Sequence, residues 1–522
     1  MEMFSKDQGN RVICDNLVRL YANTRSGKKS EVILNAYLEC DPNHVPYLWQ
    51  LVNIYAAQGR INEMKSALKT LHKNSTEDAG LREVMAIPAA MPTTKAVLDF
   101  RDRISKILEQ ALTDNHYPNR PDMTFRCTPF YLSYQEPCNK VLFEKIVSVF
   151  EQGLMKVPKI GPRAERKNKK IAFISQHFYK QSVMDFYFHT IVNMPKEFHV
   201  TIINIDPVFI DEVTKKVYDR ANKVLQPSIC HDELLPLIMK GEYDMIIYPE
   251  IGMSPCIYYL AMQRLAPIQA VLMGHPDTSG MSSMDYYVSW KHFHHGNIKN
   301  QFTETLVQLN HMPICYDYPK GIDGVKKPLS GLGLNQKGII LFSVPMLLFK
   351  IQPVFDEVIE KIISASPNHV VLMVCYNHIE KVIKKRLEKR LNKKQLEQVR
   401  FELPFKKRDY YAVLKNSNVI LESFPFGGGN TVLHSMAAGT PVICLRSDQL
   451  KGSFGTGFYD WINETRYIAT SIDEYVKLAI RIANDVHEKP MFANMIQKNK
   501  SKLFGNMDGP NEFYGWLHHV LA

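Results

Sequence analysis

Near its C-terminal end the chain reads Glu422-Ser-Phe-Pro-Phe-Gly-Gly-Gly-Asn-Thr-Val-Leu-His-Ser-Met-Ala-Ala-Gly-Thr-Pro441. Three consecutive glycines, Gly427, Gly428 and Gly429, let backbone N–H groups come close to a ligand. Asn430 and Thr431 then open a segment rich in Leu, Met and Ala that reads as a helix with Asn430 as its N-cap. A helix N-terminus carries partial positive charge, so a glycine turn feeding a helix suits a phosphate. No Lys-Ser/Thr follows, so this is not a Walker A loop, and it is not a dinucleotide fingerprint. The alternative is an ordinary tight turn. His434, one turn on, is either a hydroxyl-binding imidazole or a helix-face histidine. Lys350, in Phe349-Lys-Ile-Gln-Pro353, offers a point charge suited to a diphosphate, or is a plain surface lysine. His275 in Gly274-His-Pro276, with His177, Gln181 and Asp185 in the loop Ser175–Asp185, supplies groups that can orient an acceptor or take its proton.

These residues follow predicted strands. The loop at 175 follows Ile171-Ala-Phe-Ile174, and further strands are expected at 200–205, 245–248, 270–273 and 286–289. A second set falls at 338–343, 370–374, 399–402, 419–421 and 442–445. Nearly continuous apolar runs alternating with helical segments argue for parallel sheets covered on both faces, and two such sets for two Rossmann-like domains. Ligands of such sheets lie beyond the carboxyl ends of the strands, here in the crevice between the domains.

The N-terminal segment repeats itself. Leu17-Val18 and Leu51-Val52, and Tyr21-Ala22 and Tyr55-Ala56, stand 34 positions apart, with Asp41-Pro42-Asn43 at a repeat end and Gly59 in an inter-helix turn. That period resembles tetratricopeptide repeats, and two repeats must lean on neighbouring helices, expected around Lys95–Leu112. The expected organisation is a helical repeat domain at 1–112 and a helical linker at 113–167. Rossmann-like domains follow at 168–325 and 326–522.

The stretch from Glu422 to Pro441 resembles the donor-site signature of glycosyltransferase family 41, which contains protein O-GlcNAc transferases, SPINDLY proteins and bacterial protein N-glucosyltransferases. Arg264-Leu-Ala-Pro-Ile-Gln-Ala-Val-Leu-Met-Gly-His-Pro-Asp-Thr-Ser-Gly280, followed by Met284-Asp-Tyr-Tyr-Val288, resembles a second block of that family. Phe349-Lys-Ile-Gln-Pro353 resembles a third, in which a lysine faces the donor diphosphate. The resemblance implies a GT-B fold of two Rossmann-like domains behind an all-α repeat domain. It also implies an inverting, metal-independent transfer of a hexose or N-acetylhexosamine from a UDP-sugar to an Asn or Ser/Thr side chain. Lys350, Gly428, Gly429, Asn430, Thr431 and His434 would meet the donor, with Tyr410 and Arg408 near the base. His434 stands where many relatives have an aspartate, and Gln181 where O-GlcNAc transferases have a histidine. A polysaccharide-modifying transferase and a catalytically silent scaffold remain the alternatives.

Composition narrows the rest. The chain has 522 residues, 45% of them apolar, and no run of 18 apolar residues, so no integral membrane segment is expected. Nine scattered cysteines without a Cys-x-x-Cys pattern argue against a disulfide framework or zinc site and for a cytoplasmic setting. No Asp-x-Asp pair marks a metal site, and no cofactor beyond the UDP-sugar substrate is implied. The formal net charge of +11 concentrates at Pro162–Lys170 and Lys384–Lys394, the latter read as an amphipathic helix carrying Leu387 and Leu391. No aromatic platform accompanies that charge, which argues against nucleic acid as a partner and leaves a protein or peptide acceptor.

Overall fold

The computed structural model describes residues 10–23, 27–75, 78–158, 160–161, 168–207, 209–228, 231–296, 298–325, 338–374, 379–402 and 407–522. The chain opens with helices Arg11–Asn23, Gly27–Cys40, Val45–Ala57 and Ile61–Asn74. The first and third, and the second and fourth, start 34 positions apart, so the period seen in the sequence is a helix–turn–helix repeat. Leu51 and Tyr55 are buried and Leu17 is half-buried. The Tyr21 side chain lies outside the described residues. Gly59 takes the left-handed φ of +67° that its turn requires. A Cβ there would sit 3.1 Å from Val382, so the repeats lean on the second Rossmann-like domain. Helix Thr94–Thr113 follows, where a supporting helix was expected.

Two all-parallel sheets form the rest. The first holds β1 (Lys170–Ser175), β2 (His199–Asn204), β3 (Lys223–Leu225), β4 (Met245–Tyr248), β5 (Ile268–Val271), β6 (Tyr286–Trp290) and β7 (Thr305–Leu309), in the order β3-β2-β1-β4-β5-β6-β7. The second holds β8 (Ile340–Val344), β9 (His369–Val374), β10 (Val399–Glu402), β11 (Val419–Leu421), β12 (Val442–Leu445) and β13 (Ile468–Ala469), in the order β10-β9-β8-β11-β12-β13. Strand order reverses beside β1 in one sheet and beside β8 in the other, which puts both switch points on the crevice. Central strands are buried on both faces, which is why their apolar runs stood out in the sequence. The three strands not anticipated, β3, β7 and β13, all lie at sheet edges, where β3 and β7 need less apolar cover and β13 is only two residues long.

The segment between the repeats and β1 is more than a spacer. After the short helical turn Phe130–Tyr134, helix Lys140–Phe150 packs on helix Thr94–Thr113. Residues 128–139 form a strap joining both Rossmann-like domains. On one side Thr128 donates to the Gly252 carbonyl at 2.5 Å. On the other, the buried Lys451 ammonium donates to the carbonyls of Gln135 and Pro137 at 2.6 and 3.2 Å. The last helix, Asp508–Leu521, crosses back to the first sheet, where the Tyr514 hydroxyl donates to the Thr190 carbonyl at 2.8 Å.

The expected helix over Lys384–Lys394 is corrected. A helix spans Ile379–Leu387 and stops, and Asn392 caps a new short one, Lys393–Leu396. Leu387 and Leu391 are both buried as expected. Arg386, expected on a solvated face, is instead buried in an ion pair with Asp356 at 2.8 Å and also donates to the Met91 carbonyl. Of the other basic cluster, residues 162–167 lie outside the described residues. Among the described residues no helix is long and apolar enough to cross a membrane.

Candidate active site

β11 delivers the chain to the crevice at Glu422, and the glycines follow. Their backbones adopt no left-handed φ; what they supply is close approach. A Cβ on Gly427 would lie 2.6 Å from Glu422 Oε1, and one on Gly429 would lie 2.6 Å from the Phe186 ring of the other domain. The helix starts two residues earlier than expected, at Gly429, with Gly428 rather than Asn430 as its N-cap. The buried Glu422 carboxylate accepts the Gly428 N–H at 3.0 Å and the Gly455 N–H at 3.3 Å, which fixes the loop. Burial pushes Glu422 up to about 7, against hydrogen bonds from Cys444 and those N–H groups and the nearby Lys350 charge.

Asn430 is freed from capping. Its side-chain amide instead donates across the crevice to Asp185 Oδ2 at 2.8 Å. Desolvation raises Asp185 to about 6, opposed chiefly by Lys180 and Lys407. Thr431 follows on the first helical turn, half-buried.

Lys350 ends a single helical turn, Leu348–Lys350, just beyond β8. Its ammonium donates to the Gly427 carbonyl at 2.9 Å and lies 4.6 Å from the centre of the Phe426 ring. Desolvation lowers it to about 8, with Glu422 acting the other way, so it stays largely charged at neutral pH.

A cleft of about 430 Å³ opens between the domains. Gln181, Asp185, Tyr410 and His434 line it together, as do Lys407 and Tyr316, which the sequence did not single out. His434 Nε2 and the Tyr316 hydroxyl are 2.9 Å apart, with the Tyr410 and Tyr411 rings 5.8 and 5.7 Å away. Burial, helped by Lys407, holds His434 near 4 and therefore neutral. Arg408 is exposed, and its neighbour Lys407 faces the cleft instead.

Of the other expected residues, Gln181 stands at the edge of the cleft while His177 and His275 lie outside it. Gln181 is the N-cap of helix Ser182–Val192: its side-chain oxygen accepts the Val183 N–H at 3.2 Å and its amide donates to the His177 carbonyl at 3.1 Å. The His177 ring sits 3.8 Å from Glu250 at the floor of the first domain, where burial raises Glu250 to about 8. His275 was expected to face the crevice, and this is corrected. It is 6% exposed, stacked on Phe130 at 5.1 Å and 3.0 Å from Ser133 Oγ, because the strap covers it. Burial holds it near 4, neutral and locked.

Glu422 was legible as a charge at the end of a buried strand, directly before the glycines. Tyr316 carried no such signal, since it lies in the crossover between the domains.

No protein-family model matches the chain. In sequence it is 24% identical over 333 residues to a probable UDP-N-acetylglucosamine–peptide N-acetylglucosaminyltransferase SPINDLY of Petunia hybrida, covering 60% of this chain and 34% of that protein. It is 21% identical over 345 residues to a UDP-glucose:protein N-β-glucosyltransferase of Actinobacillus pleuropneumoniae serotype 5b (strain L20), covering 64% of this chain and 54% of that one. In structure it matches a variant of the O-GlcNAc transferase of Thermobaculum terrenum with a TM-score of 0.71 at 17% identity, over 97% of this chain and 96% of that one. The chain is thus similar in sequence and in fold to proteins of glycosyltransferase family 41. Its two Rossmann-like domains form the GT-B fold, and its helical N-terminus is of the tetratricopeptide-like kind. The matched region spans about a third of the SPINDLY protein's length and about half of the N-glucosyltransferase's.

Proposed function

We propose that this family 41-like chain transfers a hexose or N-acetylhexosamine from a UDP-sugar to a protein side chain, with inversion and without metal. The relatives' names point to UDP-sugar donors and peptide or protein acceptors. The observation that carries the reading is the meeting at the crevice of two groups. One is the glycine loop with its helix start and Lys350; the other is the Asp185 carboxylate of the opposite domain, 2.8 Å from Asn430.

In this reading the helix N-terminus and Lys350 hold the diphosphate, while Tyr410, Tyr411 and His434 flank the nucleoside. An acceptor hydroxyl or amide attacks the anomeric carbon from the face opposite the diphosphate. Its proton passes to Asp185, the new bond to the sugar forms, and the electron pair of the breaking bond leaves on the UDP oxygen. A carboxylate raised to about 6 is still ionised at neutral pH yet more basic than an exposed one, which suits a general base. Lys350 and the helix N–H groups meet the charge that develops on the leaving oxygen. The protein-acceptor assignment, the sugar and each residue's role rest on this arrangement together with the relatives.

A second reading, the silent scaffold, has one observation in its favour. Phe186 against Gly429 and the Asp185–Asn430 bond occupy the space in front of the helix start, so a diphosphate must part them. Incubation with a panel of UDP- and GDP-sugars and a peptide library, read by mass spectrometry, tests the transferase directly. Thermal stabilisation by UDP separates a donor-binding enzyme from a scaffold that has lost the site, because a ligand that binds only the folded state raises stability.

A further inference from the structure

The cleft that holds Asp185 carries more positive charge than a nucleoside needs. Lys180, Lys216, Lys320 and Lys407 all line it, all are exposed, and each comes from a different segment. Lys180 stands in the loop after β1 and Lys216 on helix Glu212–Arg220. Lys320 belongs to the crossover between the domains, and Lys407 opens helix Lys407–Asn416. Among the described residues none of the four ammonium groups forms an ion pair. Of the carboxylates in the lining, Glu212 pairs with Lys215 at 2.9 Å, Asp317 meets His189 at 2.9 Å, and Asp185 accepts from Asn430. The donor diphosphate does not account for the lysines. Lys350 and the three glycines do not line this cleft, and the Asp185–Asn430 bond stands between.

The rim beside these lysines is apolar. Phe209 and Ile210 are 56% and 52% exposed, and the Phe209 ring lies 5.5 Å from that of Tyr179. The Lys180 N–H donates to Asp211 Oδ2 at 2.8 Å, so the two loops form one surface. Asp211 in turn caps the helix that carries Lys216, accepting the Val213 and Thr214 N–H groups at 3.0 Å. Large apolar side chains exposed together beside a charged cleft mark a contact surface. The charges of Lys180 and Lys407 both reach the Asp185 carboxylate, so the charged mouth and the proposed base face the same space.

We infer that this mouth selects acceptors whose modified side chain is flanked by aspartate or glutamate. Lys180, Lys216 and Lys320 meet those carboxylates, and Phe209 and Ile210 take an apolar neighbour. The nucleoside assigned to Tyr410, Tyr411 and His434 is uncharged, so these lysines are left for the other substrate. Exposed charges of this kind steer encounter and set specificity more than they add affinity. Salt screens them beyond about 8–10 Å, so the selection reaches only residues close to the modified one. The inference rests on the protein-acceptor reading above and names the acceptor's class, but its test does not require transfer.

The test uses two fluorescein-labelled peptides that share a leucine pair and a central asparagine and threonine. Their flanking positions are glutamate in one and glutamine in the other. Fluorescence anisotropy with the full chain, with and without UDP, reads binding in the absence of turnover. The wild type should bind the glutamate peptide about tenfold more tightly, the sum of several exposed pairs of modest individual strength. That gap should close as salt rises. The variant K180Q/K216Q/K320Q should bind both peptides alike, and K180E/K216E/K320E should prefer the glutamine peptide. All three lysines are exposed, so both variants should keep the wild-type melting curve and its shift by UDP. The inference is overturned if the wild type shows no preference for the glutamate peptide, or if the variants keep that preference. It is equally overturned if the variants lose the UDP shift, since the lysines would then serve the donor. Tighter binding of single-stranded RNA through the same lysines would overturn it as well. Charge-selective binding without any transfer would sink the enzymatic reading and leave the selectivity standing. Transfer to both peptides at equal kcat/KM would sink the selectivity alone.

Discussion

Lys350 balances two demands. Desolvation favours its neutral form, while Glu422 and the Gly427 carbonyl favour the ammonium. Its removal should cost transfer rather than folding: Lys350→Ala is expected to lower kcat roughly 10²–10³-fold, the scale for one electrostatic stabiliser of a leaving group. Steady-state kinetics beside a UDP melting shift checks this, and a near-wild-type rate would refute the assignment. Asp185 makes a pH prediction. Only the ionised carboxylate accepts a proton, so kcat/KM should rise with pH through about 6 and fall again above about 8, where Lys350 loses its charge. Asp185→Asn should abolish that acidic limb together with most of the activity. If the limb persists in the variant, the base lies elsewhere. The sign for stability is opposite. Because the folded value lies above the ordinary 3.8, ionising Asp185 disfavours the folded state as pH rises through that window.

Among the elements, the helix Gly429–Ala437 and the strap matter most. The helix start touches Phe186 of the other domain so closely that no side chain fits between them. Gly429→Ala should therefore push the domains apart at this point, costing about 1–3 kcal/mol of stability, as overpacking does, and weakening UDP. Differential scanning calorimetry and UDP titration measure both. Unchanged values would mean the two surfaces are not in contact in solution. The strap shows how an element with no sequence pattern of its own acquires a role. Tyr134 packs its ring 4.6 Å from Phe349 and 4.3 Å from Phe426, so residues before the first strand set the walls beside Lys350.

At the scale of the whole molecule, the helical domain and the second Rossmann-like domain are joined by the hydrogen bond that the buried Arg386 donates to the Met91 carbonyl. An ion pair within the second domain holds Arg386 in place. Arg386 and Asp356, with side chains 3% and 4% exposed, meet beneath the Met91 carbonyl. Asp356→Ala leaves a guanidinium buried without its partner and should cost roughly 3–5 kcal/mol, whereas Asp356→Leu with Arg386→Met should recover most of that loss. Chemical denaturation of the two variants checks it. Equal losses in both would show that packing volume, not uncompensated charge, governs this joint.

What the sequence determined by itself was whatever depends on nearby residues. Central strands such as Met245–Tyr248 and Val419–Leu421 were visible because burial on both faces demands an unbroken apolar run. The repeat period was visible because each unit solves the same packing problem, and the glycine loop because close approach excludes side chains. The tertiary structure decided the rest. Three of the four edge strands, β3, β7 and β13, escaped notice because they are short or carry little apolar cover, whereas the edge strand β10 was anticipated. Asn430 turned from cap to cross-domain donor because the helix began at Gly429, and His275 went under the strap because Phe130, 145 positions away in the chain, stacks on it. Asp185 became the carboxylate facing the glycine loop only through tertiary structure, which sets it 2.8 Å from Asn430 of the other domain and buries it enough to raise its value.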